Sequence, residues 1–287
     1  MPDLAAHSTM IACVNPAPAA ELPGGPPPND RLDPMTGQHP CRAAAPAPLS
    51  RPPADGRVAV VSGGNRGLGL QIVRAFAEQG MRIVMGSRSL ELGGIAIDLL
   101  GDLADLVTVR QLDITDPASV GRLASWLEQR FGRCDVLVNN AAVLLEDDDD
   151  EAATLDLEVV SRTLETNVLG TWRLTQAVVP LMRAGRSGRI VNVSSGLGSL
   201  ASMRRGLSAY RVSKCAVNAL TRILADELAE HSILVNACCP GPLRLDSRDR
   251  HGAVRLSASA DTPVWLANLP DGGPTGGFYR ERTPIDW

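Results

Sequence analysis

The sequence predicts an α/β fold in which a parallel β-sheet is covered by helices on both faces. Two observations predict it. From Arg57 onward, short β-rich runs alternate with longer helical patterns, the order that produces parallel strands joined by crossover helices. Each run is apolar almost throughout, as strands buried on both faces are. The six strand candidates are RVAVVS (57–62), RIVMGS (82–87), LVTVRQL (106–112), DVLVNN (135–140), RIVNVSS (189–195) and ILVNACC (233–239).

The segments between these strands have the periodicity of helices. Helix candidates lie near 67–79, 117–131, 156–184 and 208–231. The acidic run EDDDDE (146–151) follows the fourth strand. A solvated loop is expected there, because adjacent carboxylates do not by themselves make a cage for a cation.

The first 55 residues differ in composition from the rest of the chain. They hold 13 of its 21 prolines, in runs such as PAPAA and GGPPP. A segment of this kind cannot bury a core and is expected to be disordered. We therefore predict a tail at 1–55 and one domain at 56–287. A docking or targeting arm, a solvated tail and a start codon placed too far upstream all remain open for the tail.

Composition argues against several classes of protein. The 287 residues are 44% hydrophobic, and the net charge of −4 comes without the basic block that nucleic-acid binding requires. No apolar run reaches the roughly 18 residues of a membrane span, and the first residues do not resemble a secretory signal. Six scattered cysteines and four scattered histidines argue against a zinc site or a disulfide framework, and they fit reduced thiols in the cytoplasm.

A glycine-rich loop, SGGNRGLG (62–69), joins the first strand to the first helix. Glycines at this place in a doubly wound sheet let main-chain N–H groups approach a pyrophosphate, which then lies at the positive N-terminus of the helix. The motif therefore predicts a Rossmann-type dinucleotide site. A tight strand-to-helix turn without a ligand is the alternative.

The end of the second strand favours NADP(H) over NAD(H). An acidic residue at this place binds the ribose hydroxyls of NAD and repels an additional phosphate. This chain has Ser87 and Arg88 instead, and Arg66 lies in the glycine loop. Two guanidinium groups can hold a 2′-phosphate through forked hydrogen bonds. The alternative is that both are ordinary surface residues among 27 arginines.

The segment YRVSK contains one of two tyrosines, Tyr210, and the chain's single lysine, Lys214. Because they are four residues apart on a helix, they lie on the same face. A nearby ammonium lowers the pKa of a phenol from its usual value of about 10, so Tyr210 is expected to act as general acid toward a carbonyl oxygen. Lysine also carries a compact charge that could hold ribose hydroxyls. An ordinary aromatic–cation pair is the alternative.

Together these motifs resemble the short-chain dehydrogenase/reductase family, over residues 57–287. YxxxK is the family's active-site motif, and the glycine loop is similar to its TGxxxGxG, with Ser62 in place of Thr. The C-terminal stretch looks like the ending of carbonyl-reductase-like members. The resemblance implies that a helix carrying DTPVWLA (261–267) and a strand at GGFYR (276–280) close the sheet.

The resemblance also implies the catalytic residues. In VNVSSG (191–196), Ser195 matches the family's serine, which hydrogen-bonds the substrate carbonyl, and it precedes Tyr210 by 15 residues. In TNVLG (166–170), Asn167 takes a structural and proton-relay role. The implied catalytic set is Asn167, Ser195, Tyr210 and Lys214.

Two further segments resemble the family's cofactor contacts. VNNAA (138–142) is similar to its NNAG, with Ala142 in place of glycine, and LDI (112–114) places Asp113 at the adenine. A strand-end cap is the alternative for Asp113. The cofactor residues expected from the motifs are Gly63, Asn65, Arg66, Gly67, Leu68, Gly69, Arg88, Asp113, Ile114, Asn140, Tyr210, Lys214, Pro240 and Gly241.

The chain departs from the family after its sixth strand. CPGPLRLD (239–246) resembles PGxxxT, but Leu245 replaces the threonine that contacts the carboxamide, and Pro242 replaces the bulky residue before it. One hydrogen bond worth roughly 0.5–1.5 kcal/mol is then missing. The segment 247–259 corresponds to the family's substrate lid and is rich in arginine, which hints at an acidic or polar substrate.

The resemblance predicts an NADPH-dependent oxidoreductase that reduces a ketone or aldehyde, or oxidises the alcohol in reverse. The alternative is a catalytically weak NADP-binding sensor or partner protein on the same fold, since fold alone does not establish activity. A dehydratase or epimerase is disfavoured, because its larger substrate domain has no room here. The long helices at 156–184 and 208–231 suggest a homodimer or homotetramer. The substrate, its stereochemistry and the direction of reaction stay open.

Overall fold

The centre of the molecule is an eight-stranded sheet. The structure is a computed structural model that describes residues 56–241 and 250–287. Its strands are β1 (Val58–Ser62), β2 (Arg82–Ser87), β3 (Val107–Gln111), β4 (Val136–Asn139), β5 (Gly188–Val193), β6 (Ile233–Cys238), β7 (Phe278–Arg280) and β8 (Thr283–Pro284). They lie in the order β3-β2-β1-β4-β5-β6-β7-β8. Every neighbouring pair is parallel except the last, which is antiparallel. This order confirms the predicted doubly wound sheet.

Helices cover both faces of the sheet. They are α1 (Gly67–Glu78), α2 (Leu90–Asp98), α3 (Pro117–Phe131), α4 (Leu157–Leu164), α5 (Thr171–Gly185), α6 (Ser208–Leu228) and α7 (Arg250–Ala267). The buried residues of α1, α2 and α7 pack on one face, and those of α3, α5 and α6 pack on the other. None of the helices within the described ranges is long and apolar enough to cross a membrane.

Strand β1 shows why the predicted strands are apolar throughout. Ala59 and Val61 belong to the cluster under α1, whereas Val58 and Val60 belong to the cluster under α3, α5 and α6. Because successive side chains of a strand point to opposite faces, a strand covered on both sides must be apolar at every position.

The helix expected at 156–184 is interrupted. Between α4 and α5 the chain forms a π-helical segment, Glu165–Gly170, which contains the predicted site residue Asn167. Such segments are rare and occur often at functional sites. Helix α2 was not expected, since its two adjacent glycines, Gly93 and Gly94, lower helix propensity. A Cβ on Gly93 would lie 2.4 Å from Val109, so glycine lets this helix approach β3 closely.

The C-terminal expectations are met for the helix and the strand. DTPVWLA forms the end of α7, and GGFYR contains β7. The segment 247–259, expected to correspond to the family's substrate lid, is part of α7 from Arg250 on, and its role as a lid stays a prediction. The rest of that segment, together with Pro242 and Leu245, lies outside the described residues, as does the predicted tail at 1–55.

Candidate active site

The carboxyl ends of β1 and β4 open a crevice, because successive strands extend from β1 in one direction and from β4 in the other. Ligands of open parallel sheets bind at such a switch point. Ser62 ties the two strand ends together. Its Oγ donates to the carbonyl oxygen of Val138 (3.3 Å) and accepts from the N–H groups of Asn140 (3.0 Å) and Ala141 (3.1 Å).

The glycine loop packs directly against Asn140. The Nδ2 atom of Asn140 donates to the carbonyl oxygens of Ser62 (3.0 Å) and Gly63 (3.1 Å). Gly63 has a φ of +63°, in the left-handed region that favours glycine. A Cβ on Gly69 would lie only 2.2 Å from the carbonyl oxygen of Gly63. Main-chain packing and backbone conformation therefore require glycine at Gly63 and Gly69. Without side chains there, the loop stays open to a ligand.

A cavity of about 290 Å³ lies between this loop and the ends of β2 and β3. Arg66 and Arg88 both line it, so two guanidinium groups border the same space, as the sequence predicts. Ser87, at the end of β2, donates its hydroxyl proton to the carbonyl oxygen of Ser89 at 2.7 Å. The predicted cofactor residues that line this cavity are Gly63, Asn65, Arg66, Arg88, Asp113, Ile114 and Asn140.

Asp113 has a local role as well as a place in the cavity wall. Its Oδ1 accepts from the main-chain N–H of Thr115 (3.0 Å) and from the Thr115 hydroxyl (2.7 Å). Its own N–H donates to Ser119 Oγ at 3.0 Å. Oδ1 of Asp113 therefore makes the contacts of a strand-end cap, which is the alternative expected for this residue. Asp113 also lines the cavity, and its contact with the adenine stays a prediction.

A second cavity, of about 590 Å³, adjoins the first, since Asn140 and Ala142 line both. The predicted residues around it are Leu68, Asn140, Ser195, Tyr210, Lys214, Pro240 and Gly241. The predicted residues Gly67, Gly69 and Asn167 are not among the described residues lining either cavity. Gly67 begins α1 with a φ of +55°, so it shapes the loop that the cavities border.

Three predicted catalytic side chains meet at this second cavity. Ser195, which follows β5, and Tyr210, in the first turn of α6, both line this cavity. Lys214 Nζ donates to the carbonyl oxygen of Val193 at 2.8 Å and lies 5.5 Å from the centre of the Tyr210 ring. Tyr210 is 7% exposed and Lys214 3% exposed, so both are held in a site with little water.

Burial sets the protonation of this pair. It raises the pKa of the Tyr210 phenol, and the neighbouring Ser195 side chain only partly opposes the rise. Burial also lowers the pKa of Lys214 to about 8. The expectation that Lys214 lowers the pKa of Tyr210 is therefore wrong here, because the loss of water around the buried phenol dominates. At neutral pH the phenol keeps its proton, which a proton donor needs.

Asn167 holds the main chain beside the cavity. Its Oδ1 accepts from the N–H of Val143 (2.8 Å), and its Nδ2 donates to the carbonyl oxygen of Val143 (2.9 Å) and to Ser213 Oγ (3.0 Å). Asn167 is 1% exposed. These contacts fix the chain after β4 against α6, which is the structural half of the predicted role. The proton relay stays a prediction.

Comparison with known sequences agrees with this geometry. A sequence model described as short chain dehydrogenase matches residues 57–253. The chain belongs to the short chain dehydrogenase family. The predicted resemblance is thus confirmed.

This chain matches several similar proteins over nearly the whole length of those proteins. Short-chain dehydrogenase/reductase 1 of Saponaria officinalis is 33% identical, over 81% of this chain and 97% of the relative. Carbonyl reductase [NADPH] 1 of Oryctolagus cuniculus is 33% identical, over 82% of this chain and 100% of the relative. A solved structure, ElxO with NADP bound, is 26% identical with a TM-score of 0.71, covering 77% of this chain and 95% of that one.

Glu146 is a site residue of this short chain dehydrogenase that the sequence argument missed. It was expected in a solvated acidic loop, but it is 7% exposed and caps α6. Its two carboxylate oxygens accept from the N–H groups of Ala209 (3.1 Å) and Tyr210 (2.6 Å). A carboxylate at a helix N-terminus is stabilised by the unpaired N–H groups there. The sequence signal for this burial is weak: two apolar residues, Leu144 and Leu145, directly precede Glu146.

The two cavities fit the parts of a nicotinamide dinucleotide. The glycine loop offers a cradle that a Cβ would fill, and the first cavity adds two guanidinium groups. The second cavity adds the Ser195 and Tyr210 hydroxyls. Asn140 lies where the two meet, so a single extended molecule can contact both groups of residues.

Proposed function

We propose that this protein reduces the carbonyl group of a small ketone or aldehyde, or oxidises the corresponding alcohol. One observation carries the proposal: Ser195 and Tyr210 border one cavity of about 590 Å³, and the buried Lys214 lies beside the phenol ring. A proton donor and a second hydroxyl are thus available to one carbonyl oxygen.

The cofactor is NADP(H), as the sequence predicts. The likeness to a structure with NADP bound and to a carbonyl reductase [NADPH] supports this assignment. So do Arg66 and Arg88, since two guanidinium groups in one cavity suit a 2′-phosphate. When bound, NADPH supplies the hydride that reduces the carbonyl carbon.

Side chains of the protein bind the carbonyl oxygen of the substrate and protonate it. Ser195 donates a hydrogen bond to the carbonyl oxygen and polarises it. Tyr210 gives its phenolic proton to that oxygen as negative charge develops there, and the product is the alcohol. The Lys214 ammonium, 5.5 Å from the ring centre, offsets the charge left on the phenol. Asn167 keeps the neighbouring chain in place, and a water path that returns the proton is predicted to pass near it.

The test is NADPH consumption, followed by absorbance, with a panel of ketones, aldehydes and quinones. Parallel assays use NADH and the Tyr210→Phe variant. We expect turnover with at least one carbonyl compound and a preference for NADPH. The variant should lose about 100- to 10,000-fold in rate, the usual contribution of a general acid, while NADPH binding, followed by cofactor fluorescence, is retained.

A different result would favour the alternative function. If NADPH binds and no carbonyl compound is turned over, the protein is a cofactor-binding sensor or partner protein. A Tyr210→Phe variant that keeps full activity would remove Tyr210 from its proposed role. Homodimer or homotetramer assembly, a cytoplasmic location and the domain bounds 56–287 stay predictions from the sequence.

A further inference from the structure

Positively charged groups dominate the cavity that holds Ser195 and Tyr210. The cationic residues lining it are Arg204, Arg211, Lys214 and Arg280. Among the described residues that line it, none is an aspartate or glutamate. A cavity of one sign attracts ligands of the opposite charge, because its low-dielectric walls concentrate the field.

Arg280 is the arginine best placed to bind a substrate. It ends β7, which pairs with β6 on one side and, at Arg280 itself, with Thr283 of β8 on the other. A Cβ on Gly196 would lie 2.2 Å from its terminal nitrogen. The guanidinium therefore lies against the residue that directly follows Ser195, and a side chain at that position would displace it.

The partners of Arg280 leave its charge largely uncompensated. Within the described ranges, its guanidinium hydrogen-bonds only to the sulfur of Cys239, from Nε at 3.4 Å and from the terminal nitrogen at 3.3 Å. A thiol sulfur is a weak acceptor. By contrast, Arg211 donates to the carbonyl oxygen of Gly206 and also borders the acidic loop at 148–151. Arg204 also lacks a hydrogen-bond or ion-pair partner among the described residues, so what distinguishes Arg280 is its place against Gly196, next to Ser195.

We infer that the substrate carries a carboxylate, which Arg280 binds while the carbonyl oxygen lies between Ser195 and Tyr210. This inference rests on the proposed function, since it assumes that a carbonyl is reduced there. Arginine suits the role because its planar fork binds both oxygens of a carboxylate through two charge-assisted hydrogen bonds. Gly196 is then a specificity residue as well, since any side chain at that position displaces the fork.

The test compares matched substrates on the full-length chain with NADPH. A series of straight-chain oxo acids, with increasing spacing between carbonyl and carboxylate, is assayed beside the methyl esters of the same acids. We expect kcat/KM for the best acid to exceed that for its ester by about 10- to 100-fold, the effect of a hydrogen bond to a charged group. The preference should fall as salt is added, because ions screen the attraction.

Three variants assign the preference to Arg280. In Arg280→Gln and in Gly196→Ala, the ratio of acid to ester is expected to fall to about one, even where the absolute rate changes. Arg183→Gln, at an exposed arginine of α5 away from the cavity, should keep the ratio. Equal rates for acids and esters would overturn the inference while the reductase function stands, and so would a preference that survives in Arg280→Gln.

Failure of the proposed function has a separate signature. If neither acids, esters nor neutral carbonyl compounds consume NADPH, the reductase proposal fails. The carboxylate site is then judged by binding alone, from titrations of the NADPH-loaded protein with benzoate and with benzamide, followed by cofactor fluorescence. Tighter binding of benzoate that is lost in Arg280→Gln would support the site, and equal binding of the two would overturn it.

Discussion

The cofactor side and the substrate side of the crevice are built in different ways. On the cofactor side, the contacts position main-chain atoms: Asn140 Nδ2 donates to the carbonyl oxygens of Ser62 and Gly63, and Gly69 packs against the Gly63 carbonyl. On the substrate side, charged side chains make the contacts. Glu146 caps the helix of Tyr210, and Arg280 lies against Gly196.

This difference determines what each side tolerates. Main-chain packing at the loop leaves no room for even one added carbon, so the cofactor side should respond to small steric changes. The substrate side has a cavity of about 590 Å³ and is organised by charges and hydrogen bonds. It should respond to loss of a charge or of an acceptor more than to a change of volume.

The largest effect expected on cofactor binding is from Gly69→Ala. Its Cβ would lie 2.2 Å from the Gly63 carbonyl oxygen and 2.6 Å from Asn140 Nδ2, and a main-chain oxygen cannot swing away as a side chain can. We expect unfolding free energy to fall by about 1–3 kcal/mol, the usual range for overpacking, and NADPH affinity to fall by at least about tenfold. Denaturant titration and cofactor fluorescence measure the two.

Gly121→Ala is the matched control for that substitution. Gly121 lies inside α3, and a Cβ there meets nothing within 4 Å. Alanine should raise stability by about 0.5–1 kcal/mol, because glycine is unfavourable inside a helix. If Gly69→Ala were as stable as Gly121→Ala and bound NADPH normally, the idea that main-chain packing defines the cofactor side would be wrong.

The same contrast explains what the sequence could predict. Strand positions, the glycine spacing and the place of Tyr210 and Lys214 follow from local patterns, and the structure has them where the patterns indicate. Glu146 could not be found in this way, because its burial depends on a helix end more than 60 residues later in the chain. The direction of the Tyr210 pKa shift was missed for a related reason, since spacing predicts a neighbouring charge but not the loss of water around it.

On the substrate side, Glu146→Ala is expected to affect turnover and to leave cofactor binding unchanged. Removing the carboxylate leaves the buried N–H groups of Ala209 and Tyr210 without their acceptors, which costs about 1–3 kcal/mol of stability. Because Tyr210 then loses its fixed position, kcat should fall about tenfold while the KM for NADPH stays the same. Steady-state kinetics and denaturant titration measure the two.

Two further variants separate the cap from general effects of the acidic loop. Glu146→Gln keeps one acceptor oxygen and should recover part of the rate. Asp149→Asn, at an exposed position in the same loop, should behave as the unchanged protein. If Glu146→Ala loses stability but keeps its kcat, Glu146 is only a structural cap of α6. Other residues then organise the substrate side.

The smallest expected effect is the pH dependence of reduction. Burial lowers the pKa of Lys214 to about 8, so its ammonium carries charge below that pH and loses it above. Because burial raises the pKa of Tyr210, the phenol keeps its proton through the same range. The Lys214 charge, which stabilises the phenolate that Tyr210 becomes after giving up its proton, therefore disappears first. We expect kcat for reduction to fall to about half its maximum near pH 8.

Lys214→Arg should be slower but lack this inflection, since arginine stays charged throughout. An inflection that persists in the variant would assign the titration to another group and would leave Lys214 a positioning role through its hydrogen bond to Val193.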